Sequence, residues 1–232
     1  MKKRLTFISD THTKHDKLNG FLPGGDILLC AGDISSRGYK TELENFFKWF
    51  DGIDNYDHKI FIAGNHDFGF QDEPETIKGL LTGYKTIDYL QDEYLGIQDG
   101  DEPELKIWGS PWQPEFHNWA FNLPRGEKIK EKWDLIPNDV DILITHGPPF
   151  SKLDYVPYNN INVGCEELLL KVQQIKPKIH LFGHIHSGRN VVFSDGTLYV
   201  NAAILNDRYE FRNKPITVDF DFETLEWDVI DF

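Results

Sequence analysis

Five short clusters of acid, amide and imidazole side chains punctuate the chain: Asp10-Thr11-His12, Gly32-Asp33, Gly64-Asn65-His66-Asp67, His146-Gly147-Pro148-Pro149 and Gly183-His184-Ile185-His186. Their candidate metal ligands are Asp10, His12, Asp33, Asn65, His146, His184 and His186. These residues supply hard oxygen and imidazole nitrogen donors with no thiolate among them, a mix that suits Mn²⁺, Fe or Co and accepts Zn²⁺. On an extended segment, Asp-x-His and His-x-His each point both side chains to one face. The single carboxylate of Asp33 is able to bridge two ions ~3.5–4 Å apart, as two-metal hydrolysis requires. Glycines before Asp33, Asn65 and His184 permit tight turns and close backbone approach. Burying so many polar donors together with no ion would be costly. His15, His58, His117 and His180 have no partner motif and are read as surface or core residues.

Each cluster comes directly after a strand-like run. Residues 4–9 alternate polar and apolar side chains, and 27–31, 59–63, 141–145 and 179–182 are short apolar runs of the kind found in central strands buried on both faces. Helical spacing of apolar residues covers 41–50, 126–135 and 163–175, so strands alternate with helices and predict a mostly parallel sheet with crossovers. Ligands of such sheets bind beyond the carboxyl ends of the strands, where all five clusters fall. After Val191 the runs 191–193, 198–200, 216–221 and 227–230 alternate around turns such as Ser194-Asp195-Gly196, which predicts an antiparallel second layer of a sandwich. No repeat, low-complexity tract or linker divides the 232 residues, and one domain over 1–232 is expected.

Apolar residues make up 40% of the chain, ordinary for a folded protein. Two distant cysteines, Cys30 and Cys165, build neither a disulfide framework nor a zinc finger and are read as buried reduced thiols. The basic start Met1-Lys2-Lys3-Arg4 leads into an apolar run that ends at Asp10, too short for a signal peptide, and no stretch approaches a membrane span. A cytoplasmic protein without membrane partners is expected. The net charge of −14, from 24 basic and 38 acidic residues, disfavours an extended nucleic acid as partner. A small anionic phosphodiester or nucleotide is not disfavoured, because bound dications offset the local charge.

In order and type, these clusters resemble the motif set of the calcineurin-like metallophosphoesterase superfamily: Asp-x-His, Gly-Asp, Gly-Asn-His-Asp/Glu, His and Gly-His-x-His. The resemblance implies a four-layer α/β/β/α sandwich of two mixed sheets flanked by helices. It implies one divalent ion held by Asp10, His12, Asp33 and His186, and a second by Asp33, Asn65, His146 and His184. Gly109-Ser110-Pro111-Trp112, the segment from Trp119 to Gly126, Thr145-His146-Gly147-Pro148-Pro149, the segment from Val163 to Leu169 and Asn201-Ala202 are similar to the metallophosphoesterase-domain group related to the fetal-brain 239 protein. Members of that group resemble cyclic-nucleotide phosphodiesterases and act on phosphodiesters with Mn²⁺ or Co²⁺. Some vertebrate relatives lack the first histidine of Gly-His-x-His, which this chain keeps as His184. In the protein-phosphatase branch an aspartate that supports the catalytic histidine precedes an arginine after Gly-Asp. Here Ser36 fills that slot before Arg37, which makes a protein-phosphatase role less fitting.

The expected reaction is hydrolysis without a covalent intermediate, by hydroxide bridging two divalent ions, with Mn²⁺ expected and Fe, Co or Zn as alternatives. His66, beside Asn65, is the candidate for protonating the leaving oxygen or contacting the phosphate. Asp67 is read either as orienting His66 or as capping the following turn, and Arg37 either as a phosphate clamp or as a solvated loop residue. Asn65, Gly147 and Asn201 are candidate substrate contacts. Phe68, Phe70, Trp112, Phe116 and Trp119 are candidates to stack on a base, with core packing as the alternative. A phosphomonoesterase or nuclease on the same scaffold, and a metal-holding protein without activity, are the competing functions.

Overall fold

The computed structural model describes residues 1–231. Along the chain the strands and helices are β1 (Lys2–Ile8), β2 (Gly25–Cys30), α1 (Lys40–Asp51), β3 (Tyr56–Phe61), α2 (Phe68–Asp72), α3 (Pro74–Leu81), β4 (Asp88–Tyr89), β5 (Glu93–Ile97), β6 (Leu105–Ser110), β7 (Gln113–Pro114), β8 (Asn122–Leu123), α4 (Glu127–Trp133), β9 (Ile142–Thr145), β10 (Tyr155–Val156), β11 (Ile161–Asn162), α5 (Glu166–Ile175), β12 (Ile179–Phe182), β13 (Asn190–Ser194), β14 (Thr197–Asn201), β15 (Ile216–Asp221) and β16 (Trp227–Asp231). Two six-stranded sheets organise them, in the orders β16-β15-β1-β2-β3-β4 and β13-β14-β12-β9-β6-β5.

Period-two alternation explains the layering. Ile27 and Leu29 of β2 face the second sheet, where they join Ile142, Ile144, Ile179 and Leu181 in a core between the sheets. Leu28 and Cys30 face the other way, onto Leu43, Phe46, Phe47 and Phe50 of α1. On the far side, Leu143 of β9 and Phe182 of β12 pack under Ile129 and Trp133 of α4 and Leu168 and Val172 of α5. The result is the four-layer α/β/β/α sandwich of two mixed sheets. Because β1–β3, β9 and β12 are covered on both faces, their sequences read as apolar runs rather than as polar/apolar stripes.

The strands that precede the five clusters lie where their sequences place them. The C-terminal strands do not form one separate layer, as their alternation suggests; they divide between the sheets. β13 and β14 close a hairpin at Asp195 and Gly196, both with positive φ, and β14 pairs parallel with β12. β15 crosses over to pair antiparallel with β1. Each sheet thus gains a strand whose partner lies far off in sequence, and local periodicity carries no record of the partner. Cys30 and Cys165 are buried free thiols, and among the described residues no helix is long and apolar enough to cross a membrane.

Candidate metal centre

The carboxyl ends of β1, β2 and β3 from one sheet and of β9 and β12 from the other meet at one edge of the sandwich. Hydrogen bonds between consecutive loops hold them there. The Asp10 N–H donates to the Gly32 carbonyl (3.0 Å), His12 N–H to the Asp33 carbonyl (2.9 Å) and Gly183 N–H to the His146 carbonyl (3.0 Å). The side chains do not converge through extended backbone. Asp10 (φ 55°), His12 (φ 40°), Asp33 (φ 50°) and His184 (φ 66°) all adopt left-handed conformations, uncommon for non-glycine residues and typical of functional sites that the surroundings over-determine. Each chain turns sharply as it leaves its strand, and the turn rather than the pleat brings Asp10 to His12 and His184 to His186. Gly64 and Gly183 permit the close approach. A β-carbon on Gly64 would overlap the Asp33 carboxylate and backbone, and one on Gly183 would overlap Asp10 Oδ2 and Ser9 Oγ.

Three groups of donors form: Asp10 with His12 and His186, His12 with Asp33 and His66, and Asp33 with His146 and His184, the ligand atoms of each lying within 4.8 Å of one another. One oxygen joins them. Asp33 Oδ2 lies 3.6 Å from His12 Nε2 and 3.4 Å from His146 Nε2, while Oδ1 accepts the His66 N–H (2.8 Å). His186 Nε2 faces Asp10 Oδ1 at 3.4 Å, and Asn65 Oδ1 lies 3.0 Å from His146 Nε2. The far nitrogens are anchored: His146 Nδ1 pairs with the Ala31 carbonyl (2.8 Å) and His186 Nδ1 with that of Asn206 (2.9 Å). Such bonds orient the two rings so that Nε2 of each faces the centre. The amide N–H of His184 donates to both oxygens of Asp10.

Burial alone would raise the Asp33 carboxyl, but the imidazoles of His146 and His12 beside it hold it well below the usual range. Asp10 is likewise brought down to about 2 against its burial, by His186. In return, against burial, Asp33 lifts His146 to about 9 and Asp10 lifts His186 to about 9. Burial pushes His12 and His184 down to about 4 each, which keeps both neutral and able to donate a lone pair.

The donor set fits divalent cations. His12 is 5% exposed, and among the described residues neither of its ring nitrogens has a hydrogen-bond partner. A buried imidazole without partners is costly unless something else engages it, and Nε2 faces the shared oxygen of Asp33.

His66 leaves β3 beside this centre. Its Nδ1 pairs with the backbone carbonyl of Ser36 (2.8 Å). Its ring stacks on Trp119 at 4.1 Å, and Trp119 is brought there by the Ala120 N–H bonded to the Asn65 carbonyl (3.0 Å). Asp67 neither touches the His66 ring nor caps α2 through its side chain. Fully buried, it accepts from the N–H groups of Ile34, Ser35 and Gly64 and from the Ser35 hydroxyl, clasping the two loops together. Burial, with the Asp33 carboxylate next, raises Asp67 to about 7. The Arg37 guanidinium lies 4.5 Å from the Phe68 ring centre and 5.5 Å from that of Trp119, on the rim of this aromatic platform.

Asn201 is fully buried, donating to the Ile185 carbonyl (2.8 Å) and accepting from Ala203 N–H (3.2 Å). That places it beneath the His184 turn as a brace rather than open to substrate. Gly147 is buried, and its carbonyl accepts the Thr145 hydroxyl (2.8 Å). Phe70 is buried in the helix-side core, and Trp112 donates to Asp92 (2.9 Å) with Lys132 over its face. Both belong to packing, whereas Trp119 stacks on His66 and Phe68 lies against Trp119. Phe116 is 58% exposed and lies edge-on to His117. Tyr209, which no motif marks, sets its ring edge-on to His12 at 4.8 Å and to His186 at 5.3 Å.

Residues 3–188 match the calcineurin-like phosphoesterase family. The chain is 41% identical to human metallophosphoesterase domain-containing protein 1 over 93% of its own length and 70% of that protein. Among solved structures, TT1561 of Thermus thermophilus superposes with a TM-score of 0.67 at 14% identity, covering 100% of this chain and 99% of that one. The phosphopantetheinyl hydrolase of Mycobacterium tuberculosis superposes with a TM-score of 0.56 at 14% identity, covering 88% and 90%.

Proposed function

The chain belongs to the calcineurin-like phosphoesterase family, a metal-dependent phosphoester hydrolase by that membership, and from this premise we propose that it is a dinuclear phosphodiesterase of small diesters, cyclic nucleotides foremost. The observation that carries the dinuclear reading is the shared oxygen of Asp33, set between His12 and His146. In this reading Asp10, His12, Asp33 and His186 hold one ion, and Asp33, Asn65, His146 and His184 hold the other. Two divalent ions, Mn²⁺ foremost, supply Lewis-acid polarisation of the phosphoryl oxygens and a water acidic enough to act as nucleophile at neutral pH.

The remaining chemistry falls to side chains. With Nδ1 tied to Ser36, His66 presents Nε2 as the group that protonates the leaving oxygen. Trp119 holds the His66 ring in plane, and Trp119 and Phe68 offer an apolar edge for a base. Arg37 is the cation set against this platform, in reach of a monoanionic diester on the rim. A single guanidinium suits the one negative charge of a diester better than the two of a monoester.

Hydrolysis of 3′,5′- and 2′,3′-cyclic nucleotides, p-nitrophenyl phosphate and its bis-ester, with Mn²⁺ and with chelator, tests the reading. Metal-dependent turnover of the diesters is expected. Turnover of the monoester alone would replace the proposal with a phosphomonoesterase.

A further inference from the structure

Three of the imidazoles around the centre are oriented by a hydrogen bond from Nδ1 to a backbone carbonyl: His66 to Ser36, His146 to Ala31 and His186 to Asn206. His12 is not. Its ring is bounded by other rings: His66 at 4.6 Å and 83° and Tyr209 at 4.8 Å and 76°, both T-shaped contacts, and the tilted ring of His186 at 5.5 Å. Tyr209 is the one among these that carries no proposed chemical role, and it also meets His186 edge-on at 5.3 Å and 76°.

The loop that carries Tyr209 is built to hold it there. A bridge between Leu205 and Phe211 closes its neck. Inside, Asn206 Oδ1 accepts from the N–H groups of Arg208 (3.0 Å) and Glu210 (2.9 Å), and its Nδ2 donates to Glu210 Oε2 (3.0 Å). The Asn206 carbonyl takes both the Tyr209 N–H (2.8 Å) and His186 Nδ1 (2.9 Å). Tyr209 itself has φ 57°, a left-handed conformation that a bulky residue keeps only where its surroundings impose it. Lys14, just beyond His12, donates to the Tyr209 carbonyl. One carbonyl therefore orients His186 while its loop sets a ring against His12, so both imidazoles of the Asp10 group depend on residues 205–211.

We propose that Tyr209 is the positioning residue of His12: its T-shaped ring contact fixes the imidazole plane in place of the hydrogen bond that His12 lacks. The inference rests on His12 being an ion ligand. Removing an outer partner of a metal-bound histidine costs about 10–100-fold in affinity.

The test is Mn²⁺ binding to the chelator-treated protein by calorimetry, with electron paramagnetic resonance reporting the coupling between the ions. Tyr209→Ala is expected to weaken one of the two ions by about 10–100-fold and leave the other unchanged, whereas Tyr209→Phe binds both as the wild type does. Unchanged affinities in Tyr209→Ala overturn the proposal, and so does a Tyr209→Phe protein as weak as Tyr209→Ala, since the hydroxyl and not the ring contact would then be at work. A wild-type chain that takes up one ion contradicts the dinuclear reading instead; where His12→Ala weakens that ion, unaltered affinity for it in Tyr209→Ala still overturns this one.

Discussion

His66 lies almost flat against Trp119, with ring centres 4.1 Å apart and planes 28° apart. With Nδ1 engaged by Ser36, Nε2 is the nitrogen of this stacked ring left for a substrate. His66→Ala should therefore lower turnover of a cyclic nucleotide, whose alkoxide leaves poorly, by about 10²–10³-fold, and that of bis-p-nitrophenyl phosphate far less. Equal losses on both substrates would remove the proton-donor role. Trp119→Ala should show the same ordering of substrates with a smaller loss.

Asp67 is a clasp, and its removal is a matter of stability. Asp67→Ala strands three buried N–H groups without their acceptor and leaves the Ser35 hydroxyl only the His66 carbonyl at 3.5 Å. A loss of at least about 3 kcal/mol in urea unfolding is expected. A loss under about 1 kcal/mol would mean that water or a shifted loop replaces the carboxylate.

Gly183 has no room for a methyl group beside Asp10 and Ser9. Gly183→Ala should cost about 2–3 kcal/mol through overpacking and displace His184, so that metal uptake falls with stability. Normal ion stoichiometry in a fully stable Gly183→Ala protein would show that the turn has slack.

The motif clusters were legible because parallel strands buried on both faces print themselves as apolar runs, and the residues just after such a run lie at the carboxyl edge of a sheet. Other features leave no such print. Left-handed backbone at Asp10, His12, Asp33 and His184 comes from inter-loop hydrogen bonds that join residues far apart in the chain. The roles of Asp67 and Asn201 as braces depend on which backbone groups happen to face them. Tyr209 arrives through a loop closed by Asn206, and only the packed structure brings it to His12. Asn206 four residues before Glu210 hints at a self-bonded turn, but nothing in that spacing says what the turn faces.

His180 gives a pH dependence of a definite sign. Burial lowers it from 6.5 to about 3, so the folded protein keeps it neutral. The unfolded chain takes up a proton below 6.5, which stabilises the unfolded state. Stability is therefore fully present above that value and falls with pH until about 3. His180→Leu, which leaves the Thr145 hydroxyl its bond to Gly147, removes this loss. Between about pH 7.5 and 5.5 the wild type should lose about 1.4 kcal/mol more than the variant in urea unfolding. Parallel losses would mean that His180 protonates in the folded state.

In the proposed chemistry two ions share Asp33 and hydrolysis requires both. Counting Mn²⁺ per chain while monitoring turnover of bis-p-nitrophenyl phosphate, in the wild type and in His184→Ala, tests it most directly. Two ions per chain are predicted, with turnover appearing only as the second binds, and His184→Ala should retain one ion and little activity. Full turnover with one ion bound, or in the presence of chelator, would contradict it.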